Sequence, residues 1–250
     1  MNTIKKQEIE SIVIQSLKRA EELWDNTLEK DKELNFSKKA SKTNIPGNKY
    51  LGEDEYKSDC FLAFMIDMRD STQHLIQAIS AKISQMQRVF YEVSALLPAM
   101  AKIIEDADGG VTEYLGDGLL ALFQFPADDK HKKDNVCRNV ITVANDCLYA
   151  LQEIVNPILN CKYGLPPLEI GIGMSYSQSI ITHFGVKPNT QIKVIGRCIY
   201  DVSKLSKERN KIAVDKTLQL AWPSSEGGKL RFEEQQFDDN LIGFIVSRDD

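Results

Sequence analysis

Seven consecutive apolar residues, Cys60-Phe61-Leu62-Ala63-Phe64-Met65-Ile66, run straight into an acid at Asp67. A run this short and this rich in β-prone side chains fits a strand covered on both faces, since a strand with one wet face would alternate. That reading asks for an α/β domain. With 250 residues and 42% hydrophobic composition, the chain can build one sizeable domain with a decorated terminus.

The pattern on either side sets the expected order of elements. Upstream, Ile9, Val13, Leu17, Ala20, Trp24 and Leu28 form one apolar stripe on a helix, followed by a polar stretch over 31–58. The expected division is therefore a helix and linker over 1–58 and a main domain over 59–250. Downstream, Ser71 and Thr72 can cap a helix carrying Leu75, Ile79, Ile83, Met86, Phe90 and Val93, with a kink or restart at Pro98 and an end near Ala107. Gly109-Gly110 breaks that pattern. Residues 111–115 and 118–123 then predict a β-hairpin turning on Gly116-Asp117. Residues 134–155 predict a helix, 168–174 and 179–184 a pair of strands, 202–209 a short helix and 241–246 a closing strand.

Several function classes are disfavoured. A net charge of -5 gives no global attraction to nucleic acid or to an anionic membrane. No window approaches the ~20 apolar residues of a membrane span. The five cysteines are scattered, with no CxxC pair and no histidine at zinc-ligand spacing, so they read as reduced thiols of a cytoplasmic protein.

Chemistry centres on Asp67 and Asp117. Each follows or adjoins an apolar strand, fifty residues apart, and they meet only if those strands are neighbours in one sheet. Two carboxylates side by side suit hard cations such as magnesium or manganese, whose charge offsets their repulsion. After Asp67, the segment Met68-Arg69-Asp70-Ser71-Thr72 leads into a helix start, where free backbone amides favour a polyphosphate. Taken singly, Asp67 also reads as a helix cap and Asp117 as a turn residue.

The stretch from Phe64 to Thr72, the long helical interval, Gly109-Gly110 and Tyr114-Leu115-Gly116-Asp117 together resemble the catalytic core of the class III adenylate and guanylate cyclases, over roughly residues 59–215. The resemblance implies a ferredoxin-like βαββαβ α+β core with an extra N-terminal helix. It also implies a homodimer with active sites at the interface, and two divalent ions, Mn2+ or Mg2+, held by Asp67, Asp117 and the Met68 carbonyl. By similarity, the partner subunit supplies the base pocket and a clamp on the transferring phosphate of a nucleoside triphosphate. The implied reaction is attack of the ribose 3′-hydroxyl on the α-phosphate, releasing pyrophosphate.

Departures from the family pattern narrow the expectation. The family's two purine-reading positions fall on Glu113 and Lys193, with the charge order reversed. That pair suits a pyrimidine edge, or forms a cross-strand salt bridge. The family's Asn-x-x-x-Arg falls on Tyr200 and Lys204, which keeps a cation for the α-phosphate without arginine's planar fork. No lysine in Phe237-Asp238-Asp239-Asn240-Leu241 matches the family's triphosphate contact, leaving Arg69, Arg197 and Lys207 as substitutes or as solvated surface charges.

Intact metal aspartates with altered base readers in a short chain resemble the pyrimidine cyclases of Pycsar antiphage systems. There the cyclic UMP or cyclic CMP is detected by a separate effector protein. The competing readings are a degenerate cyclase-like nucleotide-binding module, a purine cyclase, and a palm-type relative such as a diguanylate cyclase. The missing Glu after Asp117 counts against the last.

Overall fold

The structure is a computed structural model that describes residues 40–76, 84–223 and 228–248. The stripe from Ile9 to Leu28, the first part of the linker, and Ile79 and Ile83 lie outside the described residues. The chain divides into two units. The described part of the larger comprises residues 44–47, 59–76, 84–179, 196–223 and 228–248; that of the smaller comprises 40–43, 48–58 and 180–195.

Two three-residue strands, β1 (Ala40–Lys42) and β2 (Tyr50–Gly52), pair antiparallel in the smaller unit. Strand β3 (Tyr56–Met68) contains the apolar run, and Phe61 through Ile66 are all buried. Its even-numbered residues Leu62, Phe64, Ile66 and Met68 join the main core, and the odd-numbered Phe61, Ala63 and Met65 are buried on the opposite face. The strand is thus covered on both sides, as the run requires, and period-2 alternation puts Asp67 on the face away from the main core.

Two helices follow, α1 (Ser71–Ile76) and α2 (Gln85–Glu105). Of the kink or restart expected at Pro98, the restart does not occur, because α2 runs through the proline. Leu96, Leu97, Met100, Ala101 and Ile104 anchor it in the core on both sides of the proline, and that burial outweighs a local cost of about 3 kcal/mol. The expected inward stripe is also corrected at its start, because Met86 and Phe90 are exposed. The inward positions belong instead to Arg88 and Glu92, joined Nε to Oε1 at 2.8 Å. His74, which had no expected role, meets the other oxygen of Glu92 at 2.8 Å.

The hairpin forms as expected from β4 (Gly110–Tyr114) and β5 (Gly118–Gln124). Helix α3 (Lys130–Ala150) begins earlier than expected because Asp129 caps it, accepting from the Lys132 amide at 3.1 Å. A π-helical turn (Leu151–Val155) then leads into α4 (Asn156–Tyr163). The two strands expected over 168–184 are one continuous strand, β6 (Ile170–Phe184). No glycine or proline interrupts Ser175-Tyr176-Ser177-Gln178-Ser179, and Ser175 and Ser179 are buried rather than turned out at a bend.

Next come β7 (Gln191–Gly196), which pairs with β6, and α5 (Arg197–Leu205), which opens five residues before the expected Val202. Strand β8 (Lys211–Asp215), α6 (Lys216–Ala221), β9 (Leu230–Asp238) and β10 (Leu241–Arg248) complete the larger unit. The sheet order is β4-β5-β3-β6-β8-β10-β9. Its first four strands have the connectivity and order of a ferredoxin-like βαββαβ core. Beyond it, β6 and β8 run parallel, bridged by α5, and β10 lies antiparallel between β8 and β9. Helices α2 and α3 cover one face, and Leu205 of α5 packs with Ala213, Leu241 and Ile245 in a second cluster.

In the smaller unit, His183 lies between the Leu51 carbonyl at 3.4 Å and the Thr190 hydroxyl at 3.3 Å. Lys187 faces Glu53 and Asp54 at 3.7 and 3.4 Å. No helix among the described residues is long and apolar enough to cross a membrane. All five cysteines are free thiols, and burial pushes those of Cys137 and Cys147 up to about 12.

Candidate active site

The antiparallel pairing of β3 with β5 ends at Asp67 opposite Gly118. Asp117 is the residue before Gly118, so the two aspartates stand at the ends of neighbouring strands. The Met68 amide donates to the Asp117 carbonyl at 3.3 Å and locks that juxtaposition. The turn itself is tight: Leu115 N–H donates to the Gly118 carbonyl at 2.8 Å, and Gly116 takes a φ of 80°, open to glycine at low cost. Gly118 is needed for closeness, since a Cβ there would stand 2.5 Å from the Ile66 carbonyl and 3.2 Å from Asp67 Oδ1. Met68 itself is buried, its side chain in the core.

Arg69 lies against this pair. Its Nη2 forms an ion pair with Asp67 Oδ2, and its Nη1 donates to the Lys207 carbonyl at 3.1 Å. Its backbone amide donates to the Glu169 carbonyl at 2.8 Å, and its Nε is buried without a partner. Burial pulls the Arg69 guanidinium below its ordinary value, and the charge of Asp117 opposes that fall. The next residue, Asp70, takes a left-handed φ of 59° and is held by Arg209 Nη2 at 2.6 Å. Arg209 also pairs with Glu169. This network fixes the segment that turns from β3 into the six-residue α1, where Ser71 and Thr72 begin.

The second cluster gathers on α5 and β9. Lys204 forms an ion pair with Asp238 and stands 4.3 Å from the ring centre of the exposed Tyr200. Arg197 is paired to Asp201 at 3.0 Å, one turn along the same helix. Glu113 is half-buried on β4 opposite Leu120, in the larger unit. Lys193 is half-buried on β7, in the smaller unit. Asp67, Asp117, Met68 and Arg69 are thus brought together, as are Tyr200 and Lys204.

Sequence reasoning did not find Asp238 as the partner of Lys204, nor Arg209 and Glu169 as the brace on Asp70. Each pair is separated by more than thirty positions, and no local spacing announces it. The absence of a lysine in 237–241 was the one available signal that this strand end differs from the family's.

Among the described residues, no three histidine, cysteine, aspartate or glutamate side chains gather as a metal-binding group. The donor set at Asp67 and Asp117 is nevertheless chemically suited to a hard divalent ion: two carboxylates of the same strand pair, whose charge a cation must balance. A guanidinium already stands against them. With a triphosphate and water completing the coordination, two carboxylates are a sufficient protein share.

Similarity to solved structures supports the fold. The guanylyl cyclase Cya2 superposes with a TM-score of 0.62 at 19% identity, over 77% of this chain and 93% of that one. The adenylyl cyclase CyaB of P. aeruginosa gives 0.61 at 16% identity, over 78% and 97%. The guanylate cyclase domain of RhGC from Catenaria anguillulae, solved in complex with GTP, gives 0.57 at 14% identity, over 78% and 100%. The chain therefore has the class III nucleotidyl cyclase fold. No protein-family model and no curated protein matches it.

Proposed function

We propose that the chain is a nucleotidyl cyclase that converts UTP or CTP to the 3′,5′-cyclic monophosphate, pyrophosphate and a proton. The observation that carries this reading is the meeting of Asp67 and Asp117 at the ends of β3 and β5. On this reading residues 59–250 form the catalytic domain of a homodimer, and Asp67, Asp117 and the Met68 carbonyl hold the two divalent ions. Bound magnesium or manganese supplies positive charge for the attacking and leaving oxygens.

The chain's own groups then have separate tasks. The carboxylates of Asp67 and Asp117 fix where the cationic charge sits, and the rigid strand pair keeps it there. Arg69, Ser71, Thr72 and Arg197 contact the triphosphate. Lys204 brings a positive charge to the α-phosphate, with Tyr200 beside it, in the site completed by the partner subunit. Glu113 accepts from the pyrimidine N–H edge and Lys193 donates to a ring carbonyl. The 3′-oxygen bonds to the α-phosphorus as the bond to pyrophosphate breaks, and the hydroxyl proton passes to solvent. Positioning and charge supply this catalysis without a dedicated general base.

The altered base readers support pyrimidine substrates. By resemblance to the pyrimidine cyclases of antiphage systems, the product is a cytoplasmic second messenger for a separate effector.

The test is incubation of purified protein with manganese and each of ATP, GTP, CTP and UTP, with mass identification of products and an Asp117→Ala control. A cyclic pyrimidine nucleotide absent from the control is expected. A cyclic purine product would keep the cyclase and discard the base reading. The second reading, a binding module without turnover, draws on Lys204 being held by Asp238 and Tyr200. Nucleotide-dependent thermal stabilisation with no product would favour it.

A further inference from the structure

Two carboxylates placed at adjacent strand ends repel each other unless a cation stands between or beside them. In this chain that cation is Arg69. Arg69 is the first residue after β3, and in the turn that follows the strand its side chain reaches back to Asp67 rather than into the core where Met68 lies. There its Nη2 pairs with Asp67 Oδ2, and it feels the charge of Asp117 as well. The guanidinium is not a loose surface group. Its side chain is only 17% exposed and that of Asp67 25%. One arm is tied to the Lys207 carbonyl at 3.1 Å, and the backbone amide is tied to Glu169.

The carboxylate oxygen that Arg69 holds is one a divalent ion needs. A guanidinium and a metal ion on one carboxylate repel each other and draw on the same negative charge, so each weakens the other's binding. Arg69 also pays a structural penalty in its present place, for its Nε–H is buried with no acceptor, and an unmet buried donor is unfavourable. A group bound well on one side and poorly on the other is a displaceable counter-ion.

We infer that Arg69 is the resident counter-ion of the Asp67–Asp117 pair and competes with divalent cations for it, setting the metal concentration at which the site loads. The inference rests on the metal-site reading above and adds a residue that opposes loading. In the metal-free chain Arg69 keeps the two carboxylates together, and its displacement is part of every binding event.

The experiment titrates Mn2+ into the purified protein and follows the free-ion electron paramagnetic resonance signal. It compares wild type with Arg69→Met, which keeps the apolar stem and removes the charge, Arg69→Lys, which keeps the charge, and Asp117→Asn. Removing an opposite charge from beside a carboxylate is worth at least about tenfold in its affinity for a competing cation. Arg69→Met should therefore bind Mn2+ about tenfold more tightly, with Arg69→Lys near wild type. Without metal, Arg69→Met should melt below wild type, and Mn2+ should raise its midpoint by more than it raises the wild-type midpoint. If Arg69→Met does not fold, Arg69→Gln carries the same expectation.

Equal or weaker Mn2+ binding by the charge-free variants, with Asp117→Asn impaired, would overturn the competition and leave the metal site standing. Wild-type affinity in Asp117→Asn would overturn the metal site and the inference with it.

Discussion

Lys204 and Asp238 make the clearest electrostatic statement at the scale of single residues. Their hydrogen bond raises the Lys204 ammonium above its ordinary value, and the same bond holds the Asp238 carboxyl below the usual carboxylate range. The signs define a pH window. A depressed carboxyl contributes stability that is complete above its unfolded value of about 4 and is lost as pH falls through the folded one. A raised lysine contributes stability that is complete below its unfolded value of about 10.4 and is lost as pH rises through the folded one. The pair is thus worth most between those limits. Asp238→Asn should lower the thermal midpoint slightly at neutral pH, and its deficit against wild type should shrink toward zero as the buffer is taken below about pH 4. A deficit that stays constant into strong acid would remove Asp238 as the partner. Asp67 and Asp117 were legible from sequence because each adjoins an apolar strand or a glycine turn, signals that are local. The Lys204–Asp238 and Arg69–Asp67 pairs were not, because which charge meets which is decided by the sheet and by side-chain reach rather than by spacing alone.

At the scale of elements, helix α2 shows how packing sets what a pattern cannot. Its apolar repeat at Met86 and Phe90 points outward, and the buried face there holds Arg88 and Glu92, whose side chains are 5% and 0% exposed. A buried pair of this kind contributes little over a well-packed apolar pair, yet removing one partner strands the other charge. Glu92→Ala should therefore destabilise the protein by about 3–5 kcal/mol, read as a shift in the urea unfolding midpoint at unchanged slope. A combined Arg88→Leu, Glu92→Leu variant should recover most of that loss. A loss below about 1 kcal/mol in Glu92→Ala would show that the pair is effectively solvated. The strand pair β3–β5 makes a second element-scale prediction. Gly118→Ala drives a methyl group against the Ile66 carbonyl, so it should cost about 1–3 kcal/mol by overpacking. It should also depress cyclisation more than stability, because the strain falls between Asp67 and Asp117; equal effects on both would separate the turn from the chemistry. The same contrast explains which elements were readable. The buried β3, the β4–β5 hairpin and β10 carry strong apolar or glycine signals. Strand β9 carries no such signal, because it is an edge strand whose charged Leu-Arg-Phe-Glu-Glu-Gln-Gln run suits a solvated margin. Strand β6 reads as two because its buried serines resemble a break.

At the scale of the whole molecule, the proposed function requires groups from two copies of the chain. Asp67 and Asp117 belong to the strand-end cluster of one subunit, and Lys204, on α5, is assigned to the clamp completed by the other. Asp117→Asn and Lys204→Ala should then each be inactive as homodimers, for different reasons: the first lacks a metal ligand, the second the cation at the α-phosphate. Losing several kcal/mol of transition-state stabilisation lowers the rate by on the order of a thousandfold. Mixing the two variants creates heterodimers in which one site carries both defects and the other carries neither. With random pairing, half the dimers are mixed and half their sites are intact, so the mixture should regain about a quarter of wild-type activity. The gain should grow with total protein concentration, since it depends on association. Product formation in the mixture, compared with each variant alone over a dilution series, reads this directly. A mixture no more active than its parts would mean that Asp117 and Lys204 serve the same subunit's site, or that Lys204, held by Asp238 and Tyr200, takes no part in turnover. Activity of Lys204→Ala alone would separate those two outcomes, because a lysine outside the chemistry leaves its own homodimer competent.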